Sequence, residues 1–235
     1  MTDIQLLTFD LDNTLWDVDK VIIAAEADMR SWMHSNVPAV LDHYTQENTA
    51  RFRQEVIEQF PAKRHDLSFM RIQVLNLVMR AAGFDADTAM QHAQDAFAVF
   101  FTGRNKVEFF PDALDVLARL AQSYSLVALT NGNADIERTG LSAYFRDAYS
   151  SADVGASKPS PDMFEAALSA YDVTASEAIH IGDNPIDDID GAARVGMHTV
   201  WVNLRAASIE DSAIPTREIT ALAQLPEAIE QIAAF

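Results

Sequence analysis

In the stretch Ile4-Gln5-Leu6-Leu7-Thr8-Phe9-Asp10-Leu11-Asp12-Asn13-Thr14, an uncharged, largely apolar run stops abruptly at two carboxylates. Residues 4–9 are short and β-capable, which predicts a buried strand ending at Asp10. Soon after it the rhythm changes. Residues 22–34 (IIAAEADMRSWMH), 45–60 (TQENTARFRQEVIEQF) and 69–83 (FMRIQVLNLVMRAAG) repeat apolar residues at three- and four-residue steps, predicting helices. A fourth helix, 86–101 (ADTAMQHAQDAFAVFF), follows a stop at Gly83 and a start signal at Asp85 to Asp87. No strand candidate interrupts this block, so its helices are expected to pack as a bundle.

Beyond Pro111 strands and helices alternate. Residues 111–122, 161–171, 187–196 and 225–235 read as helices, and 133–145 as a helical segment. Strands are expected at 125–130 (SLVALT), 148–151 (AYSS), 178–183 (AIHIGD) and 198–203 (HTVWVN). Such alternation signals a parallel, doubly wound, Rossmann-like α/β sheet. The expected organisation is therefore an α/β core of residues 1–17 and 108–235, interrupted after its first strand by a helical insert, 18–107.

Charge divides the chain at the same place. The whole carries −18, but residues 18–107 hold ten basic against eleven acidic side chains, so nearly all the excess lies elsewhere. Such acidity argues against nucleic acid or an anionic membrane as partner, since both need a basic surface. No run approaches the ~20 apolar residues that span a bilayer. The first residues lack the basic region of a secretory signal. A cytoplasmic location is the expectation. Without cysteine there are no disulfides or thiolate metal sites.

In an open parallel sheet, ligands sit at the carboxyl ends of the strands. Those ends carry Asp10 to Thr14, then Thr130-Asn131-Gly132, and then Gly182-Asp183 with Asp187 and Asp188 behind; Lys158 lies in a loop before a helix. Singly, each has an ordinary reading. A strand-terminal Asp often caps a helix or makes a turn. Asn131-Gly132 could form a turn, Lys158 a solvated loop residue, and Asp187 to Asp190 a solvated helix start favoured by the macrodipole. Their recurrence at successive strand ends is what those readings leave unexplained.

In order, TFDLDNTL (8–15), ALTNGN (128–133), SKPSPDMF (157–164) and GDNPIDD (182–188) resemble the motifs of the haloacid dehalogenase superfamily, and of its phosphatases in particular. The resemblance covers nearly the whole chain and implies a Rossmann-like core carrying an inserted helical cap. It further implies an Mg²⁺-dependent phosphatase acting on a small phosphate monoester, with Asp10 as nucleophile and Asp12 as proton donor and later acceptor. Thr130, Asn131 and Lys158 would hold the phosphoryl group. Asp10, Asp183 and the Asp12 carbonyl would ligate the metal, and Asp188 would hold a metal-bound water, with Asp187 as the alternative. A dianionic ester repels a carboxylate nucleophile, so charge cancellation of this kind is required. Asp12 also bears on the branch: releasing halide needs no proton, and dehalogenases of this family lack that second Asp.

The resemblance is closer to bacterial phosphatases acting on flavin mononucleotide and on 5-amino-6-(5-phosphoribitylamino)uracil. A phosphomutase sharing the aspartyl-phosphate would need an acid/base in the insert, for which 18–107 shows no motif. A non-catalytic binding protein would normally have lost Asp10 or the metal carboxylates. Within the insert, Arg51, Arg53, Lys63, Arg64 and Arg71 are candidates to offset the acidic field on an incoming anion. Trp16 is the candidate aromatic for stacking on a substrate ring, and His180 reads as a core residue. The assembly is expected to be a monomer or homodimer.

Overall fold

A computed structural model describes residues 3–208 and 214–234. The chain divides into two compact units, residues 1–17 with 108–235, and residues 18–107. The second is all-helical: α1 (Val18–Asn36), α2 (Gln46–Gln59), α3 (Leu67–Ala81) and α4 (Ala86–Arg104). Each turn between them starts the next helix with a side-chain cap. Thr45, Asp66 and Asp85 accept from the backbone N–H groups of Asn48, Phe69 and Thr88 respectively. Met29, Met33, Leu75, Val78, Met79 and Phe100 form the interior with Ala25, Ala89, Ala93 and Ala96. The small residues let α1 and α4 approach closely: a Cβ built on Gly103 would stand 2.8 Å from the Ala25 Cα.

The other unit is built on one fully parallel sheet. Its strands are β1 (Leu6–Phe9), β2 (Ser125–Thr130), β3 (Asp147–Ser150), β4 (Ala178–Gly182), β5 (His198–Val202) and β6 (Arg217–Ile219), in the order β3-β2-β1-β4-β5-β6. Around it run α5 (Ala113–Leu120), α6 (Ser151–Val154), α7 (Asp162–Tyr171), α8 (Gly191–Arg194) and α9 (Leu225–Ala233). Every residue of β1 is buried, as a central strand covered on both faces requires. Leu6 pairs with Ser125 on one side and Ala178 on the other, so the first carboxylate-bearing loop emerges between the other two acidic or hydroxyl-bearing strand ends. α7 packs Met163, Phe164 and Ala167 against Leu6, Val127 and Leu129. No helix of the described residues is long and apolar enough to cross a membrane.

The α/β architecture agrees with the expectation, with three local differences. Residues 133–145 are turns and a single 3-10 turn, Leu141–Ala143, instead of a helix. There the Asp135 carboxylate takes the N–H groups of Glu137 and Arg138, and Gly140 adopts a left-handed φ of 81°, which together end each turn before a helix can extend. The helix expected over 187–196 starts earlier, as a π-helical turn Pro185–Asp190 that runs into α8. β6 was not anticipated; three residues beginning Arg217-Glu218 carry no strand signature. Phe235, at the end of the last expected helix, lies outside the described residues.

Of the basic residues singled out in the helical unit, Arg51, Lys63, Arg64 and Arg71 have partners within it, Arg64 donating to His65 Nε2 at 2.9 Å. Arg71 pairs with Glu26 at 3.1 Å and lies over the Phe100 ring, while Lys63 pairs with Asp66 and Arg51 donates to Asn48. Trp16 is fully buried, so its ring is not available to stack on a ligand.

Candidate active site

The loop leaving β1 is a tight coil. Asp10 N donates to Ile181 O, tying the loop to β4, and Asn13 N donates to Trp16 O, each at 2.8 Å. Asn13 has φ 61°, a left-handed conformation that Asn tolerates better than most side chains. This winding aims Thr14 back at the strand end. Its hydroxyl lies 3.2 Å from Asp10 Oδ2 and 3.4 Å from Asp183 Oδ1, so it bridges two carboxylates from different strands. Thr14 lies in the TFDLDNTL motif, and its one sequence signal for this role is its place four residues after Asp10.

Lys158 reaches the same point from the loop before α7. Its ammonium donates to Asp10 Oδ1 at 2.8 Å, Leu129 O at 2.7 Å and Asp188 Oδ1 at 2.6 Å, which uses all three of its protons. Asn131 holds the lysine's main chain from both sides, accepting from Lys158 N at 2.8 Å and donating to Lys158 O at 3.0 Å. Its side chain thus braces the lysine, and it also reaches Asp187 Oδ2 at 3.3 Å. Thr130, buried, accepts from Gly132 N through its hydroxyl oxygen.

The acidic strand end is equally fixed. The Asp183 carbonyl accepts the Trp201 indole N–H at 2.8 Å. Asp188, almost fully buried, lies directly over Gly182, so that a Cβ at 182 would overlap its carboxylate. Besides Lys158 it accepts from Asn184 N at 2.9 Å and contacts His180 Nε2 at 3.1 Å, while His180 Nδ1 meets Thr8 Oγ1 at 2.8 Å. His180 is therefore buried in β4 as expected of a core residue, yet both its ring nitrogens are used. A sequence pattern shows the burial but not the partners.

Burial and charge act together here. Burial pushes the Asp10 carboxyl well above the usual range, with Lys158 acting against it. Burial and then Asp188 push Asp183 up to about 7, and the same two causes raise Asp187. At Asp188 burial is outweighed by Lys158 and His180, which hold it well below the usual range. Burial would lower Lys158, but Asp10 and Asp188 hold it above the usual lysine range. Burial lowers His180. One ammonium thus serves two carboxylates, and Asp183 adds a third negative group beside them. Oxygens of Asp10, Asp183 and Asp188 all lie within 4.8 Å of one another. This uncompensated set of hard oxygen donors suits Mg²⁺, which prefers carboxylates, carbonyls and water. Asp187 stands outside that trio.

Asp10, Asp12, Asn13, Thr130, Asn131, Lys158, Asp183, Asn184, Asp187 and Asp188 line one cleft of about 160 Å³. That is well under the roughly 300–1,000 Å³ of a site holding a whole drug-sized ligand. It suits a small polyatomic anion, and any bulky remainder of a ligand must lie outside it. A cavity of about 440 Å³ adjoins it, sharing Asn13 and Asp183 as walls.

Residues 4–196 match the family of hydrolases described as haloacid dehalogenase-like. The chain is 34% identical over 230 residues to the 5-amino-6-(5-phospho-D-ribitylamino)uracil phosphatase YigB of Escherichia coli K12, covering 96% of both chains. It is 27% identical, over 98% of this chain and 99% of the other, to the glyceraldehyde 3-phosphate phosphatase of Methanopyrus kandleri. Among solved structures, that of a 2-haloacid dehalogenase from Pseudomonas syringae pv. Tomato DC3000 superposes with a TM-score of 0.93 at 39% identity, covering 97% of this chain and 99% of the other.

Proposed function

Because the chain belongs to the haloacid dehalogenase-like hydrolase family and is a phosphatase like the curated relatives it matches, we propose that it hydrolyses a small phosphate monoester through a phosphorylated Asp10, with Mg²⁺ as cofactor. The observation that carries this reading is the Asp10 carboxylate, gripped by Lys158 at 2.8 Å and Thr14 at 3.2 Å, in a cleft of phosphoryl size that Asp12 also lines.

In the first step an Asp10 oxygen bonds to phosphorus, the ester P–O bond breaks, and protonated Asp12 gives its proton to the departing alkoxide. In the second, Asp12 takes a proton from water as that water attacks phosphorus, releasing inorganic phosphate and restoring the Asp10 carboxylate. Thr130 and Lys158 hold the phosphoryl oxygens, the lysine turning one proton from a carboxylate to the phosphoryl group, with Asn131 bracing Lys158. Contacts of this type contribute roughly 3–4 kcal/mol each to transition-state stabilisation. Asp10, Asp183, Asp188 and the Asp12 carbonyl are the residues to hold Mg²⁺, which when bound would neutralise charge on the phosphoryl oxygens.

The substrate proposed is a phosphoribityl pyrimidine or flavin mononucleotide, a free small molecule met in the cytoplasm; the similarity to YigB over nearly the full chain supports the first of these. Residues 18–107 are proposed as the cap that selects it. The similarity to a structure called a 2-haloacid dehalogenase favours halide release as a second reading. Asp12 speaks against it, because a halide leaves without a proton.

Phosphate release from a panel of esters, and halide release from 2-chloropropionate, would be measured with Mg²⁺ and with EDTA. Phosphate release that needs Mg²⁺ and falls by at least about 10³-fold in Asp10→Asn is expected. Halide release without phosphate release would replace the phosphatase reading with the second one.

A further inference from the structure

Trp16 is tied to the active-site loop more firmly than packing requires. Its indole N–H donates to Asp12 Oδ1 at 2.9 Å. The ring is fully buried and stands edge-on to Phe109, with centroids 5.8 Å apart. The main chain fixes the same residue twice more, since Trp16 O accepts from Asn13 N and Trp16 forms β-bridges to both Asp12 and Phe109. The donor therefore has almost no freedom of its own. Asp12 is only partly buried and lines the small cleft with Asp10. A buried indole N–H needs some acceptor, and a main-chain carbonyl would satisfy it, as the Asp183 carbonyl does for Trp201. Trp16 instead spends it on the Asp12 carboxylate, a side chain that lines the cleft.

We propose that Trp16 is a positioning residue for Asp12: by holding Oδ1, the indole N–H sets how the Asp12 carboxyl meets the oxygen that departs from the ester. The inference rests on the acid/base role given to Asp12 above. It makes a prediction that a packing role does not. Misplacing a general acid slows esters whose leaving group needs a proton and spares those whose leaving group does not.

The test is kcat/KM, which reports the phosphoryl-transfer step, for an alkyl phosphate such as glycerol 1-phosphate and for p-nitrophenyl phosphate. Wild type, Trp16→Phe and Asp12→Asn are compared, and the fold of each is checked by thermal unfolding. For Trp16→Phe a loss of about 10-fold or more on the alkyl ester, against less than about 3-fold on the aryl ester, is expected, a fraction of the 10²–10⁴-fold effect of a general acid. Should Trp16→Phe not fold, benzothienylalanine at position 16 keeps the bicyclic shape and removes only the N–H, and the same outcome is expected. An unchanged or equal loss on both esters, beside an Asp12→Asn variant that discriminates between them, would overturn the role of Trp16 alone. An Asp12→Asn variant that does not discriminate would overturn the acid role itself and the inference with it.

Discussion

A methyl group added at Gly182 would occupy space that the Asp188 carboxylate already fills. Asp188 cannot yield easily, because Lys158, His180 and Asn184 hold it from three directions. Gly182→Ala is therefore expected to destabilise the protein by about 1–3 kcal/mol, the usual cost of overpacking. Unfolding curves would show this, and calorimetric titration should show weaker binding of the Mg²⁺ proposed for the site. Lys158→Met should be worse, leaving Asp10 and Asp188 buried side by side without a counter-charge. Loss of one partner from a buried ion pair costs about 3–5 kcal/mol, measurable by denaturant unfolding. The chemistry-bearing side chains stand out in the sequence as Asp or Lys at strand ends, because those residue types are out of place next to buried β-runs. Thr14 and His180 do not stand out. A Thr in a turn and a His in a strand look alike whether or not they touch a carboxylate, and only the pairing of β1 with β4 brings Thr8, His180, Asp10 and Asp183 to one edge.

Elements differ in how much of their identity is local. α2 and α3 begin at Thr45 and Asp66, each with a side chain on a backbone N–H three residues on. Thr45→Ala is expected to cost about 1 kcal/mol, seen as a lower urea midpoint without a change in slope. Such helices announce themselves through caps and apolar spacing. β2 and β4 announce themselves through short, mostly apolar runs, the mark of strands buried on both faces. β6 gives no such signal, since its ladder to Val200–Val202 is a property of β5 and the approach of the chain from elsewhere. Residues 133–145 mislead for the opposite reason. Their composition is helix-compatible, but Asp135 and Thr139 bond locally to the main chain and offer it an alternative.

For the molecule as a whole, the acidic excess lies in the α/β unit, and residues 18–107 are close to neutral. If the carboxylates at the strand ends take up Mg²⁺, the metal stabilises the fold by mass action, about 2.7 kcal/mol at a hundred times its Kd. The melting temperature should then rise by several degrees with added Mg²⁺ in wild type and stay level in Asp183→Asn, which scanning calorimetry would check. One further feature bears on how such a protein changes over time. Trp16 and Phe109 face each other across a single antiparallel bridge, and Phe110 N donates to Leu15 O beside it at 2.8 Å. The chain thus departs and returns on one rung, with some ninety residues spliced between. Doubling the length of a segment whose ends already meet costs only about 0.6 kcal/mol in closure entropy. That rung is a socket: a longer, shorter or unrelated segment can be exchanged there while the strands and their acidic rim stay as they are, so the two halves are free to be inherited and remodelled on separate schedules.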